Sequence, residues 1–476
     1  MKKLLALAFA VGFATHALAA KYTFTTTEEY AVVELTIQTP SKAFRMPAWA
    51  PGDYQLFNYG KRIFEPVFTK DGSEVKAEKG DDPNLWTIPE GANKVVYKVR
   101  PSRGNFSPNL VISNTHTFIS GPGVFGWFDG HQNEPQELTL PEKAYSPLGN
   151  SNKLIAKDYD ELLDSPIVYG PSVKSSEKKF RDKPHFVVAF NNSENFNFDG
   201  YMDVSLKAVE ECYKLFGELP YSRYYFMFDV GGPGGGLEHR DSARMGIWKG
   251  GDGMGDASLI FHEYMHAFNV KRIRAEVLGP FDYTKPARTS SLWWLEGVTD
   301  YYADILAARA GVITSKAALR EINNAVRQCE TDRYKQTPAS EASLKVWDTE
   351  RSYGFNNVSY YVKGKAIGFL LDLAIRGETK GKKSLDDVIR KLYQETKSGK
   401  PGFKDTRIRE ICVEVGGSAL GPIFDKAVST PGPMPWDEVV SKAGFSFFNK
   451  EVGYSNNPTK EAAEIGKAWP NAVGKE

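Results

Sequence analysis

The chain is short of cysteine, carries no excess of either charge and, past its first residues, has no long apolar run. Cys212, Cys329 and Cys412 are the only cysteines in 476 residues. Three cannot build a disulfide framework, and without C-x-x-C spacing they do not read as zinc ligands. Cys212 falls on the apolar side of an expected helix and reads as a core residue. Lysine and arginine number 60 against 59 aspartates and glutamates. Nothing in that balance suggests nucleic acid or an anionic membrane as the main partner. No later run of about twenty apolar residues appears, so no integral membrane segment is expected. Internal repeats and low-complexity tracts are also lacking. With 13% aromatic residues, what remains is a folded chain with room for two or three domains.

Met1 to Ala20 stand apart. Lys2-Lys3, an apolar run from Leu4 to Ala14 and the small residues Ala17-Leu18-Ala19 describe a secretory signal peptide, too short in its apolar part to span a bilayer. Cleavage is expected after Ala19 or Ala20, with no cysteine there to take a lipid. The mature protein is then exported and soluble, and periplasmic in a Gram-negative source.

From Lys21 the pattern has period two: Val33, Leu35 and Ile37 alternate with polar neighbours, as do Val95, Tyr97 and Val99. Between them, Met46 to Tyr54 is a proline- and glycine-containing turn segment. We expect a multidomain α+β protein, with an antiparallel β-rich domain over 21–190 that closes on a strand at His185 to Phe190. A mostly helical domain follows over 191–450, and a polar tail over 451–476 is expected to fray. Expected elements of the second domain are a helix from Asp203 to Phe216, a buried strand from Tyr224 to Val230 and a helix capped by Asp256 or Ser258. Further helices run from Ser291 into Arg309, from Val358 to a stop at Gly377, and onward from Ser384.

The chemistry concentrates in Phe261-His262-Glu263-Tyr264-Met265-His266. On a helix, histidines at i and i+4 share one face and can reach one Zn²⁺. Glu263, about 100° round the helix from His262, suits a base acting on water. With only seven histidines in the chain, chance is a weak source of this pattern. Catalytic zinc wants a third protein ligand and an open position. Glu296, thirty residues beyond His266, offers the carboxylate of a His₂Glu site. Asp300, on the same helical face, can accept the outer N–H of His262 as a supporting partner. Gly235-Gly236-Leu237-Glu238-His239 reads either as a plain glycine turn or as an edge strand. As a strand it would let Gly235 and Gly236 approach a peptide backbone while Glu238 meets a free amine. In Ser359-Tyr360-Tyr361-Val362-Lys363-Gly364 a tyrosine hydroxyl can serve an oxyanion, although aromatics at helix starts are commonly packing residues.

Together these segments resemble the glycyl aminopeptidase family of zinc metallopeptidases, related to aminopeptidase N and thermolysin. The resemblance extends to Pro47-Ala48-Trp49-Ala50-Pro51-Gly52-Asp53-Tyr54, Asp158-Tyr159-Asp160-Glu161-Leu162, Asp164-Ser165-Pro166-Ile167 and Asn269-Val270-Lys271-Arg272-Ile273-Arg274. It implies a thermolysin-like catalytic domain and one Zn²⁺ per chain on His262, His266 and Glu296. It further implies Glu263 as base and acid, Tyr361 on the oxyanion and Glu238 on the α-amine. The implied substrates are peptides with a free N-terminus, above all those starting with a small residue such as glycine or alanine. Many members carry a PDZ domain after the catalytic domain, and none is expected here. The rival readings are an endopeptidase on the same scaffold and a non-catalytic periplasmic peptide-binding protein.

Overall fold

A computed structural model describes residues 19–102, 109–348, 358–398 and 401–471. The expected signal peptide lies almost wholly outside them. Among the described residues no helix is long and apolar enough to cross a membrane.

The N-terminal region is an eight-stranded sheet. Its main path comprises β1 (Ala20–Thr26), β2 (Ala31–Arg45), β3 (Ile63–Lys70), β4 (Leu85–Val99), β5 (Gln136–Thr139) and β6 (Lys153–Ala156), ordered β6-β5-β1-β2-β4-β3 with Ser73–Val75 at the far edge. The period-two pattern is visible in burial: Ala31, Val33, Leu35 and Ile37 of β2 are buried while the residues between them are not. Burying each such side chain favours folding by about 2 kcal/mol, which fixes the register, since a one-residue slip would turn this set to solvent. The sheet is not purely antiparallel as expected, because β1 pairs parallel with β5. That pairing is long-range, and period two does not encode strand direction. A short helix, α1 (Tyr159–Leu163), follows, with Asp158 capping it by accepting from the Glu161 N–H, and Ile167–Tyr169 then pairs back with Thr117–Ile119 in a small three-stranded sheet.

The second region opens on a five-stranded sheet of β7 (Lys174–Phe180), β8 (Lys183–Asn191), β9 (Tyr224–Val230), β10 (Gly235–His239) and β11 (Ser242–Ile247), ordered β7-β8-β9-β11-β10. The boundary expected at 190 therefore cuts into β8, which pairs parallel with β9 and belongs to this sheet. β10 is its edge strand, antiparallel to β11. Against it pack α2 (Phe198–Phe216) and α3 (Ala257–Met265), and on these and one another pack α4 (Thr299–Arg309), α5 (Tyr360–Glu378) and α6 (Leu385–Thr396).

Several boundaries differ from the sequence reading. α2 begins five residues early because Asn197 caps it, accepting from the Gly200 N–H. Asp256 stands before α3 but accepts from the Tyr201 hydroxyl at 2.6 Å rather than from the helix. Gly377 does not stop α5; its missing side chain admits Lys442, whose Cβ would lie 2.7 Å from an added Cβ. Ser384 and Asp387 form the expected capping box of α6. The C-terminal segment does not fray as far as residue 471. Glu451–Tyr454 pairs with Phe445–Phe448, and a helix spans Lys460–Ala468. Trp469 is buried, its indole N–H donating to the Tyr301 hydroxyl at 3.1 Å. One buried tryptophan outweighs a polar average.

The two regions meet through the turn segment of residues 46–54. Trp49 is fully buried, packs edge-on to Phe281 and Trp347, and donates from its indole N–H to the Asp282 carbonyl. Tyr54 packs against the same Trp347. These anchors carry Gly52, Asp53 and Gln55 to the wall of the cleft beside β10 and α3.

Candidate active site

That cleft has a volume of about 820 Å³ and draws on both regions. Its floor is α3, where His262 and Glu263 lie in the last turn and His266 stands just past the end, still in right-handed helical conformation. Both imidazole Nε2 atoms point to one spot, 2.9 Å apart. Glu296 Oε2 joins them, 3.2 Å from His266 Nε2 and 3.8 Å from His262 Nε2. Glu296 sits in a π-helical turn, Trp293–Val298, that leads into α4 where a continuous α-helix was expected. Such turns recur at functional sites because they rotate one side chain out of helical register.

The outer faces of the histidines are fixed. Asp300 Oδ1 lies 2.8 Å from His262 Nδ1. The Nδ1–H of His266 donates to the Asn269 carbonyl at 2.6 Å. Asn269 in turn donates to the Trp294 carbonyl and the Thr299 hydroxyl, tying the end of α3 to the Glu296 turn. With His266 Nδ1 bonded and Asp300 beside His262 Nδ1, each ring in its neutral form turns an Nε2 lone pair toward the Glu296 carboxylate. Three acceptors this close repel unless a positive charge lies between them, which a bound metal ion would supply. The site favours a positive charge even without a metal: burial alone would lower the pKa of His266, but Glu296 beside it prevails and raises it to about 10, so a proton there takes the place of a cation. His262, His266 and Glu296 are thus a set that could hold a metal ion.

Glu263 is buried, and its Oε2 has no hydrogen-bond partner among the described residues. Burial pushes its carboxyl up to about 7, against the pull of His262 and His266. Gly236 makes room for it: a Cβ there would lie 2.0 Å from Glu263 Oε1. Gly235 has φ +118°, in the left-handed region, and faces open space. Glu238 is buried on the same edge strand and lines the cleft. Gly52 reaches across from the N-terminal region, where an added Cβ would lie 2.6 Å from the Leu237 side chain and 3.0 Å from the nearer Glu238 carboxylate oxygen.

Tyr361, in the first turn of α5, lines the cleft and hydrogen-bonds to Glu296, and its ring lies parallel to that of His262 at 6.2 Å. Its neighbour Tyr360 is buried away from the cleft lining. α5 crosses the Glu296 turn at very short range, since a Cβ on Gly364 would lie 1.9 Å from the Trp293 carbonyl oxygen. One turn along, Lys365 pairs with Asp304 at 3.0 Å. Burial works against the Lys365 cation, yet Asp300 and Asp304 together raise its pKa. Glu296, Asp300 and Asp304 on one side therefore face Tyr361 and Lys365 on the other, each four residues apart.

Every site residue proposed from sequence thus lies in or beside one cleft. Asp53 and Gln55 were not singled out, although they belong to or adjoin a motif that was. Gln55 donates to Asp53 at 3.0 Å. Among the described residues, six carboxylates line the cleft, those of Asp53, Glu238, Asp256, Glu263, Glu296 and Asp300, and no lysine or arginine does. The basic run after α3 points elsewhere. Lys271 pairs with Asp164, and Arg272 pairs with Asp241 while donating to three carbonyls.

Comparison with known proteins accords with this geometry. The family model described as M61 glycyl aminopeptidase matches residues 256–367, and that of the peptidase M61 N-terminal domain matches residues 22–171. No curated protein matches. Among solved structures, an aminopeptidase N family protein from Idiomarina loihiensis is similar, with a TM-score of 0.82 and 23% identity over 93% of this chain and 82% of its own. An M1 zinc metallopeptidase variant from Deinococcus radiodurans, bound to a Tyr-Ser-Ala substrate, has a TM-score of 0.54 and 12% identity, covering 88% of this chain and 96% of its own. At these identities the two structures speak for the fold. The two family models, which together match more than half of the chain, show that it belongs to the M61 glycyl aminopeptidase family of metallopeptidases.

Proposed function

We propose that this chain is a zinc aminopeptidase that removes a small N-terminal residue, such as glycine or alanine, from peptides. The observation that carries the reading is the placement of Glu238 and Asp53 beside the His262, His266 and Glu296 set, in a cleft that no lysine or arginine lines among the described residues. A cleft so rich in carboxylates suits two cations, a metal ion and the α-ammonium of a peptide. A zinc ion held there would polarise the scissile carbonyl and acidify a water molecule.

The protein's own groups do the rest. Glu238 receives the ammonium, which limits how far the peptide enters and puts the first peptide bond over Glu263. The free edge of β10 pairs with the extended backbone, with Gly235 and Gly236 leaving space for it. Glu263 takes a proton from the attacking water and passes it to the leaving nitrogen. Its carboxylate is buried and lacks a hydrogen-bond partner for Oε2 among the described residues, so it is available in both directions. Tyr361 donates its hydroxyl hydrogen to the carbonyl oxygen as that atom gains charge. The protein acts on exported or periplasmic peptides if its first twenty residues are the signal peptide they resemble.

The test compares an alanine-initiated peptide, its acetylated form and the Glu263→Gln variant. The free peptide should be cut from its N-terminus, the acetylated one should resist, and the variant should be inactive. Equal cleavage of both peptides would make the protein an endopeptidase.

A further inference from the structure

Two of the motifs noted in the sequence are not used by this chemistry: Asp164-Ser165-Pro166-Ile167 and the basic run after α3. The fold joins them. Asp164 follows the last turn of α1 in the N-terminal region, where its N–H donates to the Asp160 carbonyl. Its Oδ1 accepts from Lys271 Nζ at 2.9 Å and from His239 Nδ1 at 3.2 Å. Its Oδ2 accepts the backbone N–H of Arg240 at 2.9 Å. His239 and Arg240 are the two residues that follow Glu238 in the chain.

β10 is an edge strand with a neighbour on one side only. Its end at Glu238 and His239 has no second strand to hold it, and Asp164 stands where such support is lacking. The cluster is largely buried, with the Lys271 side chain 5% exposed and that of Asp164 15%. Burial alone would raise the Asp164 carboxyl, but Lys271 and His239 hold it well below the ordinary carboxylate range. Hydrogen bonds to an ionised carboxylate in such surroundings are strong and directional. Gly52 closes on the Glu238 carboxylate from the cleft side.

We propose that Asp164 is a positioning residue for substrate selection: by clamping His239, Arg240 and Lys271 it sets where the Glu238 carboxylate stands. Discrimination between free and blocked N-termini is then a property of the junction between the two regions. This inference rests on the reading of Glu238 as the amine anchor. A purely structural ion pair would change stability and leave that discrimination alone.

The experiment measures kcat and KM on an alanine-initiated peptide and its acetylated form, with bound zinc and thermal unfolding, for Asp164→Asn, Lys271→Arg, the double variant Asp164→Asn/Lys271→Met, and Glu238→Gln. The double variant leaves no buried lysine unpaired, so it carries the test if Asp164→Asn alone fails to fold. Asp164→Asn and the double variant should raise KM for the free peptide at least about tenfold, the loss of one charge-assisted hydrogen bond. Preference over the acetylated peptide should fall with it, while kcat and zinc content stay within about twofold of the parent and Lys271→Arg keeps most of the preference. If Glu238→Gln leaves the preference intact, the reading of Glu238 itself fails. If Glu238→Gln abolishes it while the Asp164 variants change only the unfolding temperature, the positioning role is overturned.

Discussion

The two ends of the cleft are built in different ways. At the metal end every group comes from the helices of the second region, and the parts are interlocked. His266 holds the Asn269 carbonyl, Asn269 holds Trp294 and Thr299, and the Glu296 turn lies against Gly364 at backbone contact. At the amine end Glu238 sits on an edge strand and is braced by Gly52 and Asp164, which are distant in sequence and belong to the other region. On the proposed reading, the contrast teaches that the reaction is encoded within the second region, whereas the choice of substrate is encoded across the junction. Damage at the metal end should therefore reduce kcat, and damage at the amine end should raise KM.

The sharpest break of that contrast is Glu263→Gln. It should cut kcat by about a thousandfold or more while zinc stays bound, within the range of general acid–base contributions; steady-state kinetics beside metal analysis would check it. A variant that lost zinc as well would show that Glu263 is needed to hold the metal. At the other end, Gly52→Ala drives a methyl group into Leu237 and Glu238 at a residue with φ +87°. It should raise KM for free peptides about tenfold with little change in kcat, as expected when ground-state and transition-state binding weaken together.

Behind the metal end, Lys365→Met leaves Asp304 buried without its cation. It should cost about 3 kcal/mol of stability, measurable by denaturant unfolding, and Lys365→Arg should recover most of it. The smallest effect at neutral pH belongs to His185 in β8, which bonds to the Lys183 carbonyl and the Tyr221 hydroxyl. Burial lowers its pKa to about 4. The native state keeps it neutral while the unfolded chain protonates it at its ordinary value. Its contribution is therefore complete above about pH 6.5 and is lost as the pH falls toward 4, at most about 3 kcal/mol. His185→Gln should flatten this acid limb of stability and leave activity at pH 7 unchanged.

The same contrast explains what could be read in the sequence. His262 and His266 were legible because helical spacing alone puts them on one face. Glu296 and Tyr361 were legible as candidates because they sit in short local motifs. The π-helical turn around Glu296 was not, since nothing in Trp293 to Val298 signals it apart from contacts with α5. Asp53, Gln55 and the clamp at Asp164 were out of reach for a different reason. Their meaning depends on a turn near residue 52 and a helix end near 164 meeting a strand at 238, and no local periodicity encodes such a meeting. The strand at 224–230 was found from its apolar run, while the direction of β1 against β5 and the buried anchor at Trp469 were missed because each is settled by distant packing.

The most direct test of the account is a zinc titration of metal-stripped protein, following hydrolysis of an alanine-initiated peptide. Activity should rise in proportion to zinc and level off at one ion per chain, and Glu263→Gln should bind the same single ion without gaining activity. Full activity in the stripped protein, or hydrolysis by the Glu263→Gln variant at the parent rate, would contradict it.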